Sequence, residues 1–313
     1  PLTTGTFTQT MTISYDDGAA PQTITNDVTG QGIVPAILDI SEDPSYDFGS
    51  VAIGATEIHT FIVTNNGSFT ATGMVGAGLA PPYDYLGGTF PGTGGTCITP
   101  WTLAPAATCE VVVSFTPGAT GTSVDDIEIS YNDGIDPQLS TREVVGVGSA
   151  PAQLDISDAD PFDYGTIANG DTVKQTFTVT NNGGYIANSI VGPALGAEFN
   201  YLGAAGAYPG DGGTCDSDLI IGEDCIIVVE YSPSVTGTHS TVLTLNYNDG
   251  SGPNNSTKTI DGVSVTPAIL SMDLTDPYDF GIVAVGGVGE ATITITNTGN
   301  FIATGVGATL NAP

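Results

Sequence analysis

A four-residue phrase is written three times in this chain: Tyr15-Asp16-Asp17-Gly18, Tyr131-Asn132-Asp133-Gly134 and Tyr247-Asn248-Asp249-Gly250. The interval is 116 residues each time. Other phrases keep the same step. Pro35-Ala36-Ile37-Leu38 returns as Pro151-Ala152-Gln153-Leu154 and Pro267-Ala268-Ile269-Leu270. Asp47-Phe48-Gly49 returns as Asp163-Tyr164-Gly165 and Asp279-Phe280-Gly281. Thr64-Asn65-Asn66-Gly67 returns as Thr180-Asn181-Asn182-Gly183 and Thr296-Asn297-Thr298-Gly299. A fixed period means that one structure is built repeatedly. At this length each copy can enclose its own core, so the copies are tandem domains and not turns of a solenoid. The predicted divisions are residues 1–34, the C-terminal part of a unit; 35–150 and 151–266, two full units; and 267–313, the N-terminal part of a unit. On this reading the sequence is a window from a longer protein that continues in both directions.

Inside a unit the apolar residues recur at every second position. Phe61 and Val63 alternate with polar neighbours, as do Phe177 and Val179, and Ile293 and Ile295. Cys109, Val111, Val113 and Phe115 share one face, matched by Cys225, Ile227, Val229 and Tyr231. Ile127, Ile129 and Tyr131 share another, matched by Met11, Ile13 and Tyr15 and by Leu243, Leu245 and Tyr247. Period two marks half-buried strands, and no stretch carries a helical stripe. Several short strands per unit, divided by Gly, Asn and Asp turns, predict an all-β fold of tandem immunoglobulin-like β-sandwich domains. In that fold Tyr131 ends a strand. Asn132-Asp133-Gly134 then supplies the positive φ of a tight hairpin.

The four cysteines fall as two close pairs, Cys97 with Cys109 and Cys215 with Cys225, one pair per full unit. Two disulfides within the units, formed in an oxidising compartment, are the favoured reading; buried free thiols are the alternative. The first cysteine moves by 118 residues between units and the second by 116, so a loop drifts while the frame holds.

Charge removes whole classes of partner. There are 34 acids against three bases, Arg142, Lys174 and Lys258, for a net charge of −31. A phosphate backbone needs Lys and Arg to neutralise it, so nucleic acid is excluded. A basic membrane-surface helix is excluded for the same reason. No apolar run approaches the roughly 20 residues of a membrane span. Asp outnumbers Glu 25 to 9, which suits turns rather than helix surfaces and leaves hard oxygen ligands for Ca²⁺.

The stretch "DFGSVAIGATEIHTFIVTNNG" (47–67), followed by "CITPWTLAPAATCEVVVSFTPGATGT" (97–122), resembles the choice-of-anchor D repeats of bacterial surface proteins. These are relatives of the Hydin-type (abnormal-spindle-like) immunoglobulin-like domains. The shared features are Phe48-Gly49, Thr64-Asn65-Asn66-Gly67, and the run from Cys97 through Leu103 and Cys109 to Phe115-Thr116-Pro117 and Gly121. The resemblance covers both full units and both partial ones. It implies an immunoglobulin-like fold; such domains serve as spacers and interaction modules in many settings.

Catalysis finds little footing. His59 is matched by Gln175 and Ala291, and His239 by Ser123 and Phe7, so neither imidazole belongs to the frame. Neither sits in a nucleophile motif, and no enzymatic role is expected. Asp155, Asp158, Asp160 and Asp163, together with Asp211, Asp216 and Asp218, are the candidate Ca²⁺ ligands. They match no EF-hand loop, and the reading weighed above it is that they initiate turns. Asn66, Asn254 and Asn255 open Asn-x-Ser/Thr triplets and are candidate glycosylation sites, though such triplets also arise by chance in an Asn- and Thr-rich chain. Trp101, the sole tryptophan, is expected to pack within its loop. The function expected is structural: a rod of tandem domains at the cell surface or outside the cell, forming an extracellular filament or an adhesin stalk. Its partners would be neighbouring repeats or like chains. The alternative is a Ca²⁺-dependent or carbohydrate-binding adhesion module, its site sought in the loop 82–108 and its counterpart 198–224, which vary most between units.

Overall fold

A computed structural model of the 313-residue chain describes residues 2–98, 101–203 and 206–310. The described residues form strands and turns with no helix, and fall into two compact units, Pro1–Ala150 and Pro151–Pro313.

The first unit opens with a hairpin, β1 (Gly5–Asp16) and β2 (Pro21–Gly32), paired from Gly5↔Gly32 to Asp16↔Pro21. Nine strands follow: β3 (Leu38–Ile40), β4 (Ser45–Ala52), β5 (Glu57–Asn65), β6 (Ala71–Gly76), β7 (Tyr83–Tyr85), β8 (Thr102–Leu103), β9 (Thr108–Phe115), β10 (Gly121–Asn132) and β11 (Pro137–Ser149). They make two sheets, ordered β3-β5-β9-β7 and β4-β11-β10-β6-β8. The alternation read from the sequence sets which faces meet. Phe61, Val63, Val111, Val113 and Phe115 of one sheet close against Ile127, Ile129 and Val144 of the other, and all eight are fully buried. Each side chain of this size contributes about 1.5–3 kcal/mol on burial. The result is an immunoglobulin-like sandwich.

The second unit repeats this plan with β12 (Leu154–Ile156), β13 (Phe162–Ala168), β14 (Val173–Asn181), β15 (Asn188–Val191), β16 (Phe199–Tyr201), β17 (Asp224–Tyr231), β18 (Gly237–Asn248) and β19 (Pro253–Val265). Its sheets are β12-β14-β17-β16 and β13-β19-β18-β15. The core is again built from the period-two residues, among them Phe177, Val179, Ile227, Val229, Leu243 and Leu245. Beyond it, β20 (Leu270–Met272) pairs with β21 (Ile295–Asn297).

Within each sandwich one pairing is parallel. β4 runs beside β11 in the same direction, from Glu143↔Ser45 to Ser149↔Ala52, and β13 runs likewise beside β19, from Phe162↔Ile260 to Ala168↔Val265. The other pairings within the sandwiches are antiparallel. The repeated sequence has different surroundings at the chain's two ends. Ile127 and Ile129 are fully buried, whereas their counterparts Met11 and Ile13 in the hairpin are 49% and 52% exposed.

Candidate functional site

The recurring motifs converge on one place in each sandwich, the segment by which the chain leads into it. A three-residue strand such as β3 has one neighbour, β5, so several of its backbone groups need other partners. Three consecutive N–H groups find them in motif residues. Ala36 N–H donates to the Asp133 carbonyl at 3.0 Å, Ile37 N–H to Asn65 Oδ1 at 3.2 Å, and Leu38 N–H to the Tyr131 hydroxyl at 3.2 Å. The second unit copies each bond. Ala152 donates to the Asp249 carbonyl at 2.8 Å, Gln153 to Asn181 Oδ1 at 3.2 Å, and Leu154 to the Tyr247 hydroxyl at 3.3 Å. In the 267–310 segment Ile269 N–H donates to Asn297 Oδ1 at 3.1 Å.

Asn65 shows why this motif is invariant across the chain. Its side chain is fully buried and uses both ends of the amide. Oδ1 accepts from Ile37 and Gly67; Nδ2 donates to the carbonyls of Phe69 and Leu103 at 2.8 and 2.9 Å. Asn181 does the same with Gln153, Gly183, Tyr185 and Leu219. A residue with only acceptors or no polar atoms leaves buried backbone groups unpaired. Gly67 completes the corner because the opening segment passes directly over it. A Cβ there would collide with the Pro35 carbonyl oxygen and Ala36 Cα.

The Tyr-Asx-Asp-Gly phrase has two jobs in the structure. The tyrosine hydroxyl holds the opening strand, and the aspartate builds the turn. Asp133 accepts from the N–H groups of Ile135 and Asp136 at 2.7 and 2.8 Å and from Gln138 Nε2 at 3.1 Å. The backbone bonds from Asp136 and Ile135 hold its carboxyl below the usual carboxylate range. Asp17 is lowered in the same way, by the N–H groups of Ala20 and Ala19. For Asp249, burial pushes upward, but bonds from Ser251, Gly252 and Asn254 outweigh it and the net shift is downward. Of the three phrase residues credited with positive φ, Gly134 alone adopts it, at 99°.

The sequence reading missed the third component. Arg142 and Lys258 stand one repeat apart, and both are buried, at 6% and 3% exposure. Arg142 donates through Nε to the Ile40 carbonyl at 3.0 Å, with Nη2 on the same oxygen, and through Nη1 to the Pro44 carbonyl at 3.0 Å. Nη1 also meets Asp43 at 2.7 Å, and Nη2 meets Asp39 at 3.5 Å. Those two carboxylates are 84% and 58% exposed, so the ion pairs contribute about 0–1 kcal/mol each. The charged donors on carbonyls contribute about 1.5–3 kcal/mol each and dominate. Lys258 Nζ donates to the carbonyls of Asp158 and Ala159 at 2.9 and 3.1 Å. The signal was present: two of only three bases fall at the repeat interval.

These bonds also explain where the candidate Ca²⁺ ligands go. Among the described residues no three His, Cys, Asp or Glu side chains gather into a metal-holding group, so the candidate set is not assembled. Asp158 accepts from Ser157 and Gln175, Asp160 from Thr259 N–H, and Asp163 from Gly165 N–H. Asp216 accepts from Ser217 N–H and Asp218 from Ser189 N–H. Asp155 lies exposed on β12, and the Asp211 carboxyl abuts Gly203. Around 158–160 the protein brings its own cation, Lys258, to the loop carbonyls.

Both disulfides are present, Cys97–Cys109 and Cys215–Cys225. The candidate glycosylation residues Asn66, Asn254 and Asn255 are exposed, with the Asn254 amide donating to Asp249 at 3.0 Å. Each histidine serves an aromatic neighbour. His59 stacks on Tyr46 at 3.7 Å between ring centres, with Glu42 at 3.6 Å. His239 Nδ1 hydrogen-bonds the Tyr231 hydroxyl at 2.7 Å, where the first unit has Phe115 and Ser123. The variable loop differs as expected. In the first unit Trp101 stacks beside Phe90 at 6.0 Å and lines a groove of about 210 Å³ with Gly73, Met74, Val75 and Gly76. In the second unit Tyr208 replaces Phe90, and there is no tryptophan.

No family model matches the chain, and no curated protein matches it. Solved structures do. Protocadherin gamma B7 cadherin domains 1–4 align with 94% of this chain and 67% of their own, at 10% identity and a TM-score of 0.35. Mouse clustered PcdhgC3 domains EC1–3 align with 83% of this chain and 77% of theirs, at 10% identity and 0.37. The ASH/PapD-like domain of human CEP192 aligns with 36% of this chain and 85% of its own, at 19% identity and 0.27. The fold assignment rests on the strand order and core described above.

Proposed function

We propose that this chain is part of a structural, non-enzymatic rod of tandem immunoglobulin-like units, of the choice-of-anchor D and Hydin-type kind. It lies at the cell surface or outside the cell, as the body of a filament or the stalk of an adhesin. One observation carries the reading: the opening segment of each sandwich is anchored by the same residues at a 116-residue interval, and Asn297 repeats part of that anchor. The side chains that recur are those that fix backbone, which is how a spacer is specified. The disulfides support an oxidising location. The partners are neighbouring repeats or like chains. Immunogold labelling of the cells that make the protein tests this. Thread-like extracellular label, with cysteines unreactive to alkylation before reduction, is the expected result. Label confined inside the cell, with free thiols, overturns it.

The groove beside Trp101 favours a second reading, a carbohydrate-binding module, since a half-buried aromatic pair lining an open groove can offer a face to the apolar side of a sugar ring. A glycan array read with Trp101 fluorescence separates the two. Ca²⁺ dependence is a weaker form of it, because four of the seven candidate carboxylates, Asp160, Asp163, Asp216 and Asp218, already accept from the protein's own backbone N–H groups.

A further inference from the structure

We infer that each sandwich is a shear clamp that carries tension along the chain, with the buried base as its latch, and that the two units yield in a set order. The inference deepens the rod reading and rests on it only for the claim that tension reaches the chain.

The geometry follows from the one parallel pairing in each unit. Tension enters a unit near its first strand and leaves from its last. β4 and β11 point the same way, so the pulled end of β4, at Ser45, and the pulled end of β11, at Ser149, lie at opposite ends of their shared ladder. The two strands are therefore drawn past each other, and the ladder bonds are loaded together. Antiparallel end strands would be loaded one bond at a time from one end. β13 and β19 repeat this arrangement.

The latch sits where the load enters the ladder. Arg142 lies on β11 next to Glu143, which pairs with Ser45. It grips the carbonyls of Ile40 and Pro44, just ahead of β4, so the segment ahead of the ladder cannot peel away without breaking those bonds. Lys258 sits at the same place on β19 and grips Asp158 and Ala159. The units differ in strength of grip. Arginine holds two residues four apart with a rigid fork and meets two carboxylates; lysine holds two adjacent carbonyls with one rotatable ammonium. The first unit's ladder is also longer, Ser45–Ala52 against Phe162–Ala168. The second unit therefore yields first.

Single-molecule pulling of the full chain, tethered at its two ends, tests this. Two large extensions are expected. The one belonging to the first unit is identified by the paired change Cys97→Ser and Cys109→Ser, which frees 12 residues and lengthens that step by about 40 Å. The first unit should yield at the higher force. Arg142→Lys should bring the two forces together, and Arg142→Met should reverse their order. Phe61→Leu thins the core without touching ladder or latch; it should lower urea stability and leave the order intact. A first unit that yields earlier in the unsubstituted chain overturns the inference. So does an order that ignores Arg142→Met, or one that Phe61→Leu reverses, since force would then follow overall stability. None of these outcomes bears on where the protein is displayed, so the rod reading stands or falls separately.

Discussion

Replacing Asn65 with alanine tests whether the opening anchor is structural in the sense argued. The substitution removes four hydrogen bonds at once. Two partners, Gly67 N–H and Leu103 C=O, meet Asn65 in buried surroundings, and the other two, Ile37 N–H and Phe69 C=O, in partly buried ones. An unpaired buried group costs about 1–3 kcal/mol, so the two buried partners alone come to about 4 kcal/mol. A domain has about 5–15 kcal/mol in total, so the unit should remain folded but be close to failure. With a urea slope near 2 kcal/mol/M, the midpoint should fall by about 2 M. Trp101 is the sole tryptophan and packs in the first unit, so its fluorescence follows that unit alone. Asn181→Ala should leave the tryptophan transition where it is while lowering the second unit's transition by a similar amount. Asn297 makes three of the same bonds on an exposed surface, where water can replace them, and Asn297→Ala should cost under about 0.5 kcal/mol. A fall of less than about 0.5 M for Asn65→Ala would refute the reasoning, because the anchor would then be ornament on a sandwich held by its core.

Reducing Cys97–Cys109 reopens a loop with a sequence separation of 12 and should cost the first unit about 3 kcal/mol, read as a lower urea midpoint in reductant. The turn aspartates Asp17, Asp133 and Asp249 have carboxyls held below their ordinary range, so their contribution is complete above pH of about 4 and is lost as pH falls through the depressed values. Acidification also relieves the repulsion of a chain at −31, so the two effects oppose each other; Asp133→Asn should flatten the acid limb of the first unit's stability curve relative to wild type, and parallel curves would count against the turn's role. Raised salt or Ca²⁺ should promote side-by-side association by screening the acidic surface, since the Debye length is about 8 Å at physiological strength; flat light scattering across both titrations would dispose of that idea.

The strands were legible because burial follows parity in most of them, β9 and β17 departing from it at Val112, Ser114 and Val228. Once Phe61 and Val63, or Val111 and Val113, are seen on alternate positions, the sheet face they serve is settled, and the repeat shows the same faces again. The turn chemistry of Asp133 was legible for a similar reason, as the bonds it makes are two and three residues away. The anchor was not. Tyr131 meets Leu38 across 93 residues and Arg142 meets Ile40 across 102, and no local pattern announces such a meeting. Nor does any local pattern tie Asp43 and Asp39 to Arg142, about a hundred residues away. The recurrence of Asn65, Tyr131 and Asp133 did say that these residues matter. Only the fold says that they matter to the same short segment.

Burying Arg142 and Lys258 has a consequence for how the protein meets proteases. Enzymes of the trypsin type cut after Arg and Lys, and this chain has three such positions. Two of them are buried on β11 and β19, where Arg142 pairs with Ile127 of β10 and Lys258 with Leu243 of β18, just ahead of the parallel ladders. The third, Lys174, is exposed as a side chain but lies on β14 opposite Glu230 of β17, so its peptide bond must leave that ladder before it can be cut. The folded units thus offer such enzymes almost no purchase. A chain written this way withstands such enzymes for as long as its sandwiches stay closed, and its lifetime among them becomes a measure of how seldom they open.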